Sequence, residues 1–330
     1  MSVTIKDIAK SLGISYSSVS RALNNKPGVS SETRKRVIDE AKKMGYKPND
    51  MARGLVKKQT NTIGVIIPDI ANSFFGEVTE GIIETANENG YTVFLCITNW
   101  NMEIEKEYLR TLQQKRVDGI ILKSSKDQEE RRYKDEINVP YILLEGRPAY
   151  GNSFVGVNNK RGSYIGTKYL LKQGYRNIAF AGGSKDSYTN MQRVQGYIHA
   201  LKERAIPIDK ELILYNDFTA KGGYILAEEL LNNDKNIDAI FAGNDVIALG
   251  VLDYATTHDF SIPEELGVLG FDDIFYAELP QIQLTTIHQP KYELGKYALE
   301  ILIDDIHAGE DRTCKSIILE PKLVVRNTTR

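Results

Sequence analysis

Four polar side chains near the amino terminus have the spacing to share one face of a helix. They are Tyr16, Ser17, Ser20 and Arg21. The opposite face carries Val19, Ala22 and Leu23, which are apolar and would pack against the rest of a small domain. Hydroxyl and guanidinium groups that project from a helix form hydrogen bonds with base edges and phosphates in the major groove of DNA. The stretch therefore predicts a helix that contacts DNA.

A second set of polar residues follows directly after predicted strands in the rest of the chain. In open parallel sheets, ligands collect at the carboxyl ends of the strands, so these positions are candidates for a binding site. Carboxylates and amides there suit the hydroxyl groups of a sugar, and an aromatic ring would cover its apolar face. The residues at these strand ends are Asp69, Asn72, Glu145, Arg147, Asn244, Asp245, Asp272 and Asp273.

The sequence contains no arrangement of residues that is typical of an enzyme. Its four histidines are scattered, and none pairs with a serine or cysteine motif. It shows no nucleophile elbow, phosphate-binding loop or dinucleotide-binding glycine pattern. Cys96 and Cys314 have neither disulfide nor metal-ligand spacing and are expected to be reduced core residues. We therefore expect no catalytic activity, no metal and no cofactor.

Charge is divided unevenly along the 330 residues, although the net charge is only −2. Residues 1–60 contain thirteen Lys and Arg against five Asp and Glu, a net charge of +8, which leaves −10 on the other 270 residues. A basic segment on an acidic body is typical of a nucleic-acid-binding domain, because neutralised phosphates supply most sequence-independent affinity. Ordinary solvated surface charge is the alternative interpretation.

The length and apolar content predict a small head on a large body in a cytoplasmic protein. With 42% hydrophobic residues, the chain can bury more than one core. No apolar segment typical of a signal peptide follows Met1, and no apolar run is long enough to span a bilayer.

Three helices are predicted in the head. Thr4 would cap the first, whose apolar residues recur at helical spacing until Gly13. The DNA-contacting helix follows that turn, and a third helix begins at Ser30 or Ser31 and ends at Gly45. Two helices joined by a turn, with a third in support, form a DNA-binding arrangement.

Beyond residue 61, apolar strand-like runs alternate with stretches of helical period, the pattern of parallel sheets with helices on both faces. The alternation starts again near Asn158, which predicts two similar α/β halves and a cleft. The predicted strands span 62–68, 92–97, 119–122, 140–144, 177–182, 238–242 and 266–270, and the predicted helices of the first half span 75–89 and about 103–115.

Four stretches of the head are in register with one family of bacterial regulators. They are Val3 to Ala9, Val19 to Asn24, Val29 to Ser30 and Gly45 to Asn49. The sequence resembles the lactose, galactose and purine repressor (LacI/GalR) family throughout its length. The resemblance implies an all-α helix-turn-helix DNA-binding head and a type I periplasmic-binding-protein-like α/β body with two doubly wound subdomains.

The resemblance also implies domain boundaries. The helix-turn-helix domain would span 1–48, the hinge helix and linker 49–61, and the effector-binding and dimerisation domain 62–330. The chain would cross between the subdomains of the body near residues 157, 288 and 320. These crossings place the amino-terminal subdomain at about 62–157 and 288–319, and the carboxyl-terminal subdomain at about 158–287 and 320–330.

By the same resemblance, Tyr16 and Ser17 begin the base-reading part of the recognition helix, and Arg21 faces the major groove. The hinge helix would fold on operator DNA and insert Leu55 into the minor groove at the centre of the site. Ser17 and Asp50 depart from the pattern of some members, which leaves the operator sequence open. The predicted DNA-binding residues are Thr4, Tyr16, Ser17, Ser20, Arg21, Asn24, Asn49, Ala52, Arg53 and Leu55.

The resemblance further selects effector-binding residues. Arg193 falls at the usual effector-binding arginine, and Phe218 lies near the position where an aromatic ring stacks on the effector. Glu145 stands where some members have an aspartate, and the longer side chain would change the room for the ligand. The predicted effector-binding residues are Asn72, Phe74, Glu145, Arg147, Arg193, Phe218, Asn244 and Asp272.

Structural roles are the alternative explanation for several of these residues. Tyr16 could cover an apolar edge of the head, Leu55 could be a core contact with the body, and Arg21 could pair with a neighbouring acid. Arg193 could form a salt bridge between domains, and Phe218 could serve plain packing. Helix capping could explain Asn244 or Asp245, and Asp273 is expected to be structural.

We interpret the chain as a transcriptional regulator, expected to repress carbohydrate-utilisation genes as a homodimer on operator DNA under the control of a sugar-like effector. No heptad extension follows the strand-like run at 317–319, so we expect a dimer and not a tetramer. A purine or other non-sugar corepressor is the alternative effector. A solute-binding protein would share the body but would carry a signal peptide and lack the basic head.

Overall fold

The computed structural model describes residues 3–46, 59–126, 133–146, 152–233 and 235–330. The chain forms two compact units, residues 1–60 and 61–330. Most of the predicted hinge lies outside the described residues. The predicted contacts outside the described residues are Asn49, Ala52, Arg53, Leu55 and Arg147.

The head unit contains the helices α1 (Ile5–Leu12), α2 (Tyr16–Leu23) and α3 (Ser31–Lys43). Thr4 caps α1 through a capping box with Asp7, and Gly13 ends α1 at φ +64°, a left-handed conformation that glycine adopts without strain. The side chains of Ser15 and Ser30 cap the next two helices by accepting hydrogen bonds from backbone N–H groups. Local sequence therefore sets where each of these helices begins.

The core of the head draws on one side of each helix. Its buried residues are Ile8 and Ala9 of α1, Val19 and Ala22 of α2, and Val37 and Ala41 of α3. Because the apolar residues occupy only one side, the other sides remain in solvent. This packing orients α2 with its polar face outward.

The first half of the body is built on a six-stranded parallel sheet. Its strands are β1 (Thr62–Ile67), β2 (Thr92–Ile97), β3 (Gly119–Leu122), β4 (Tyr141–Leu144), β5 (Ser153–Val157) and β11 (Ser316–Leu319), in the order β11-β5-β4-β3-β1-β2. Its helices are α4 (Ser73–Glu88), α5 (Met102–Gln114), α6 (Tyr133–Glu136) and α11 (Lys291–Ala308). The central strands β3, β4 and β5 are buried throughout, which explains their continuous apolar sequences.

The second half is built on a four-stranded parallel sheet. Its strands are β6 (Ile178–Gly182), β7 (Ile213–Tyr215), β8 (Ala239–Ala242) and β9 (Gly267–Leu269), in the order β7-β6-β8-β9. Its helices are α7 (Asn159–Lys172), α8 (Tyr188–Glu203), α9 (Ala220–Leu231) and α10 (Asp245–Thr257). An antiparallel pair, β10 (Thr286–His288) and β12 (Lys322–Val324), accompanies these elements.

The chain passes between the two halves at three places, which are 157–159, 288–291 and 319–322. Each passage therefore joins an element of the first half directly to an element that accompanies the second half. The domain and subdomain ranges stated from the sequence remain predictions.

Helices α4 and α11 pack with their backbones in close approach. A Cβ atom on Gly81 would overlap the carbonyl oxygen of Tyr292, and one on Gly295 would overlap that of Val78. Only glycine fits at these two positions, because any side chain would push the helices apart. The packing holds α4 against α11, and the first turn of α4 borders a cleft between the two halves.

The predicted strands of the body agree with the structure to within two residues at each end, and β2 and β3 agree to the residue. The expectation that both cysteines lie in the core is wrong for Cys314, which is exposed. It lies in the loop before β11, and connecting loops run over the surface because their backbone groups need water. Cys96 on the edge strand β2 is partly buried. None of the helices in the described ranges has the length and apolar character to cross a bilayer.

Candidate DNA-binding and effector-binding sites

Helix α2 presents its polar face to solvent. Tyr16 is 55% exposed, Ser17 and Arg21 are also exposed, and Ser20 is half-buried. Val19, on the opposite side, is fully buried. The exposure of the Tyr16 ring argues against the alternative that it covers an apolar edge of the head.

The predicted DNA contacts Arg21, Asn24 and Thr4 differ in whether their side chains are bonded within the head. Arg21 makes no ion pair within residues 3–46. The Asn24 side-chain amide donates to the carbonyl oxygen of Ser20 at 2.8 Å. The Thr4 hydroxyl donates to the Asp7 carboxylate at 2.7 Å. Arg21 is thus exposed without an acidic partner among residues 3–46, whereas Thr4 has a structural role at the start of α1.

The body contains a cleft at the carboxyl ends of the strands of both sheets. The cleft is lined by seven of the eight predicted effector-binding residues, the exception being Arg147, which lies outside the described residues. Its cavity measures about 50 Å³. The residues that line it are Asn72, Phe74, Phe75, Trp100, Lys123, Glu145, Thr189, Arg193, Phe218, Asn244 and Asp272.

Arg193 is the most extensively bonded side chain of the cleft, and it is only 5% exposed. Its Nε donates to the Asn159 side-chain oxygen at 2.8 Å, and its Nη1 donates to the carbonyl oxygen of Gly243 at 2.5 Å. Its Nη2 lies 3.4 Å from the carboxylate of Asp272, and the guanidinium lies 3.7 Å from the centre of the Phe271 ring. This ion pair with Asp272 lies within the second half, whereas the alternative role considered for Arg193 was a salt bridge between the two halves.

The carboxylate of Glu145 bonds the chain at 157–159, where it first passes from one half to the other. One oxygen accepts from the backbone N–H of Val157 at 2.6 Å, and the other accepts from the Asn159 side chain at 2.8 Å. Burial raises the pKa of the Glu145 carboxyl, although the bond from Asn159 and the charge of Arg193 lower it. The longer acid thus reaches the passage between the halves as well as the cleft.

Asp272 stands on a corner of unusual backbone conformation. Asp272 and Asp273 have φ angles of +117° and +55°, a region that side chains other than glycine rarely adopt. The ammonium of Lys291, the first residue of α11, donates to the carbonyl oxygens of both residues and lies 3.3 Å from the carboxylate of Glu77. The ammonium of Lys291, from the first half, therefore bonds the backbone of the second half at Asp272 and Asp273.

The Asp272 side chain is buried and faces Arg193. It also accepts from the side-chain amide of Gln289 at 2.6 Å. Burial raises the pKa of Asp272 to about 6, against the opposing effects of Arg193 and Lys291. Its neighbour Asp273 instead accepts from Arg326 at 2.7 Å and from His288 at 2.9 Å, which are structural contacts.

Helix capping and ligand binding were both considered for Asn244 and Asp245, and only Asn244 lines the cleft. Asn244 lines the cleft and also caps α10, accepting from the backbone N–H of Ile247 at 2.8 Å. Asp245 is fully buried beneath the strand ends, where it accepts from Thr286 at 2.5 Å and from the backbone of Ile274 at 2.9 Å. Burial, together with the nearby charge of Asp272, raises the pKa of Asp245 well above its usual value.

Four aromatic rings surround the cleft. Phe74 and Phe75 pack edge to face with their centres 5.1 Å apart, and Phe75 meets Trp100 at 6.2 Å. Trp100 and Phe218 are nearly parallel, at 18°, with their centres 6.3 Å apart. Such rings offer apolar faces to a ligand whose polar groups bond the charged side chains. Among the described residues, no group of three or more His, Cys, Asp or Glu side chains is arranged to hold a metal.

Comparison with known families decides the classification of the chain. Residues 4–49 match the family described as "Bacterial regulatory proteins, lacI family". Residues 60–326 match the family described as "Periplasmic binding proteins and sugar binding domain of LacI family". The chain belongs to the LacI family. The resemblance inferred from the head motifs and the predicted fold class are both confirmed.

Individual LacI-family proteins are similar to the chain over its full length. It is 35% identical over 333 residues to the HTH-type transcriptional regulator RegA of Clostridium saccharobutylicum, covering 100% of both chains. The lac repressor dimer bound to operator and the anti-inducer ONPF matches with a TM-score of 0.89 at 26% identity, over 100% of this chain and 99% of that one. A complex of the transcriptional regulator CelR with cellobiose matches with a TM-score of 0.76 at 29% identity, over 99% of each chain.

Besides Phe75, which is next to the predicted Phe74, three residues that line the cleft of this LacI-family chain were not predicted from the sequence. Trp100 lies three residues after β2, and Lys123 follows β3 directly, so the strand-end rule applied to every strand would have found both. Thr189 lies four residues before Arg193, one turn earlier on the same face of α8. These signals were present in the sequence but were less conspicuous than the acidic strand ends.

Proposed function

We propose that this LacI-family chain is a repressor that binds operator DNA and responds to a small effector in the cleft of its body. The observation that carries the proposal is the convergence of strand-end side chains from both sheets. Two buried cations, Lys123 and Arg193, and two buried carboxyl groups, Glu145 and Asp272, line one cavity with aromatic rings around it. Similar proteins are transcriptional regulators, and we propose that this chain also acts by binding and not by catalysis, in the cytoplasm.

The effector we propose is a sugar or a sugar derivative, which would act on genes of carbohydrate utilisation. Carboxylates and amides bond vicinal hydroxyl groups, and the rings of Phe75 and Phe218 suit the apolar face of a sugar ring. The similar CelR structure is a cellobiose complex. Lys123 and Arg193 would also suit a carboxylate or phosphate on the sugar. A purine is the second candidate, because flat aromatic faces stack on a base as well.

The residues we propose to read the operator are those exposed on α2, chiefly Tyr16, Ser17 and Arg21. The net charge of +8 over residues 1–60 supports phosphate binding around them. Residues 49–61 join this head to the body in sequence, and we propose that they order on operator DNA. We propose further that the arrangement of the two bodies in a dimer determines whether these segments pair.

Exposed apolar side chains support a homodimer, the assembly typical of this family. Phe94 and Leu95 lie on the edge strand β2 and are 40% and 38% exposed, and Phe275 and Tyr276 are 59% and 46% exposed. Large apolar side chains left in solvent are candidates for an interaction surface. A two-fold symmetric dimer would bind a pseudo-palindromic operator.

An effector changes operator affinity only if it binds one arrangement of the body better than another. The cleft side chains come from both halves, so a ligand that bonds both would favour the arrangement in which they approach. If that arrangement separates the hinge segments, the ligand is an inducer. If it brings them together, the ligand is a corepressor.

The proposal is tested with the full-length chain in two steps. A thermal-shift screen against cellobiose, glucuronate, glucose 6-phosphate and hypoxanthine identifies the ligand class, because a ligand that binds the folded chain raises its melting temperature by mass action. Each stabilising compound is then added to the chain on operator DNA. We expect a sugar or sugar derivative to stabilise the chain and to change operator affinity at least about tenfold, the coupling of roughly 1–3 kcal/mol that allosteric proteins show.

Different failures point to different corrections. If hypoxanthine alone stabilises the chain, the effector class is wrong and the regulatory function stands. If a compound stabilises the chain without any change in operator affinity, the body binds ligands but does not regulate DNA binding, as a solute-binding domain would behave.

A further inference from the structure

Trp100 reaches the cleft on a turn whose backbone is held in a left-handed conformation. Asn99 and Trp100 have φ angles of +50° and +59°, which cost on the order of 1 kcal/mol for each residue other than glycine. The turn is tied to the end of β1, since the N–H groups of Thr98 and Asn99 donate to the carbonyls of Ile67 and Pro68 at 3.0 and 2.9 Å. The surrounding structure thus determines where the indole lies.

The indole spans the two halves of the body. Trp100 follows β2 in the first half, and its partner Phe218 follows β7 in the second. Their rings are 6.3 Å apart and nearly parallel, while Phe75 meets the indole edge at 6.2 Å. Phe218 in turn lies over Gly183, where a Cβ atom would overlap its ring. The indole therefore stacks on the ring of Phe218, and Phe218 itself packs against Gly183 of the second half.

The enclosed part of the cleft is small. It measures about 50 Å³, which is room for a few water molecules, because one water needs roughly 10–15 Å³ by the same measure. A sugar ring or a purine is several times larger than a water molecule. Trp100 is 41% exposed at the mouth of the cleft, so it is the lining side chain with an open path outward.

We propose that Trp100 competes with the effector: its indole occupies the stacking place on Phe218 that the apolar face of the effector ring takes on binding. Effector binding then displaces the indole from Phe218 towards solvent. This inference rests on the proposed effector site and adds a residue that sets its sensitivity. A site that is accessible for only part of the time binds with an apparent affinity reduced by that fraction, so Trp100 raises the effector concentration needed for a response.

The competition is tested first without any ligand. Trp100 is the one tryptophan of the chain, so the intrinsic indole fluorescence of the full-length protein reports on this side chain alone. We expect Phe218→Leu to raise the acrylamide quenching constant roughly twofold and to shift the emission to the red, because the indole loses its stacking partner. The matched control Phe260→Leu, at another partly buried aromatic of the second half that does not line the cleft, leaves both unchanged. Equal quenching in wild type and Phe218→Leu overturns the proposal.

The second measurement adds cellobiose, glucuronate and hypoxanthine as separate probes. Any probe that raises the melting temperature of the wild type must shift the Trp100 emission to the red. Trp100→Ala should bind the same probe about three- to tenfold more tightly, since the competing side chain is gone. Tighter binding of this kind also excludes a merely structural role, which would weaken binding instead.

The outcomes separate this inference from the proposed function. A probe that stabilises the wild type with unchanged Trp100 emission, or that binds Trp100→Ala more weakly, overturns the competition and leaves the effector site in place. If no probe stabilises either form, the proposed ligand class fails, and the quenching comparison alone decides whether Trp100 stacks on Phe218.

Discussion

The polar face of α2 and the cleft of the body differ in how their functional groups are bonded within the chain. Tyr16, Ser17 and Arg21 project from one short helix into solvent. In the cleft, Arg193 and Asp272 are buried and bonded to each other and to further groups. The first surface is ready to form new contacts, whereas a ligand in the second must exchange existing contacts for its own.

This difference determines what a substitution does in each region. Removing an exposed side chain of α2 would take away its proposed contacts with DNA and little else. Removing a cleft side chain leaves buried partners without bonds, which costs stability as well as binding. Substitutions should therefore separate binding from stability in the head but couple them in the cleft.

The largest effect is expected for Arg193→Met. It leaves the Asp272 carboxylate and the Asn159 amide without their buried partner, which destabilises the body by about 3–5 kcal/mol. Urea unfolding of the full-length chain, followed by circular dichroism, measures the change. The matched control Lys106→Met removes a partly exposed cation paired with the exposed Glu103 and should leave the unfolding midpoint nearly unchanged. Equal midpoints for the two variants would contradict the bonding described for Arg193.

The next effect concerns the pH dependence that Asp272 imposes. Its pKa of about 6 in the folded chain lies above the ordinary value of 3.8. The folded chain therefore keeps a proton that the unfolded chain releases, so the carboxyl lowers stability as pH rises from about 4 to 6. Asp272→Asn cannot ionise. Its free energy of unfolding relative to wild type should rise by up to about 3 kcal/mol between pH 4 and pH 7. A difference that stays constant over this range would show that burial does not raise this pKa.

A smaller effect, on binding alone, is expected for Tyr16→Ala. Loss of a base-edge contact should weaken operator binding by about 1–3 kcal/mol, whereas binding to random DNA should change little. Fluorescence anisotropy with labelled operator and with scrambled DNA at one salt concentration measures both. Equal losses on both DNAs would mean that Tyr16 contacts the backbone and does not read bases.

The smallest effect is expected for Thr4→Ala. Loss of the capping box with Asp7 should destabilise α1 by about 1 kcal/mol and speed amide hydrogen exchange over residues 5–12. Thr4→Ser keeps the cap and should exchange like wild type. If Thr4→Ala weakens operator binding without faster exchange, its role is contact with DNA, as the sequence predicted, and not capping.

The sequence was most informative where function follows from local spacing. Thr4, Gly13 and Ser30 predicted the ends of the head helices, because capping depends on neighbouring residues. Strand ends such as Asn244 and Asp272 predicted the cleft, because parallel strands bring their carboxyl ends to one edge. The family models then confirmed the fold and the family.

Other features depended on contacts between distant segments. The position of Trp100 shortly after β2 marks it as a strand-end residue, but nothing near it in sequence indicates that it meets Phe218 across the cleft. The carboxylate of Glu145 was expected to face the ligand, yet both of its oxygens also bond the passage at 157–159. The folded structure decides which polar groups bond each other and which remain available to a ligand.

By itself the amino-acid sequence determined the helix-turn-helix head, the alternating α/β body and the polar face of α2, because helical and strand periods are local properties of the chain. Only the tertiary structure decided that Lys291 holds the Asp272 corner and that Trp100 lies on Phe218. These contacts join residues that are far apart in sequence, and their positions depend on how two sheets and three passages pack together.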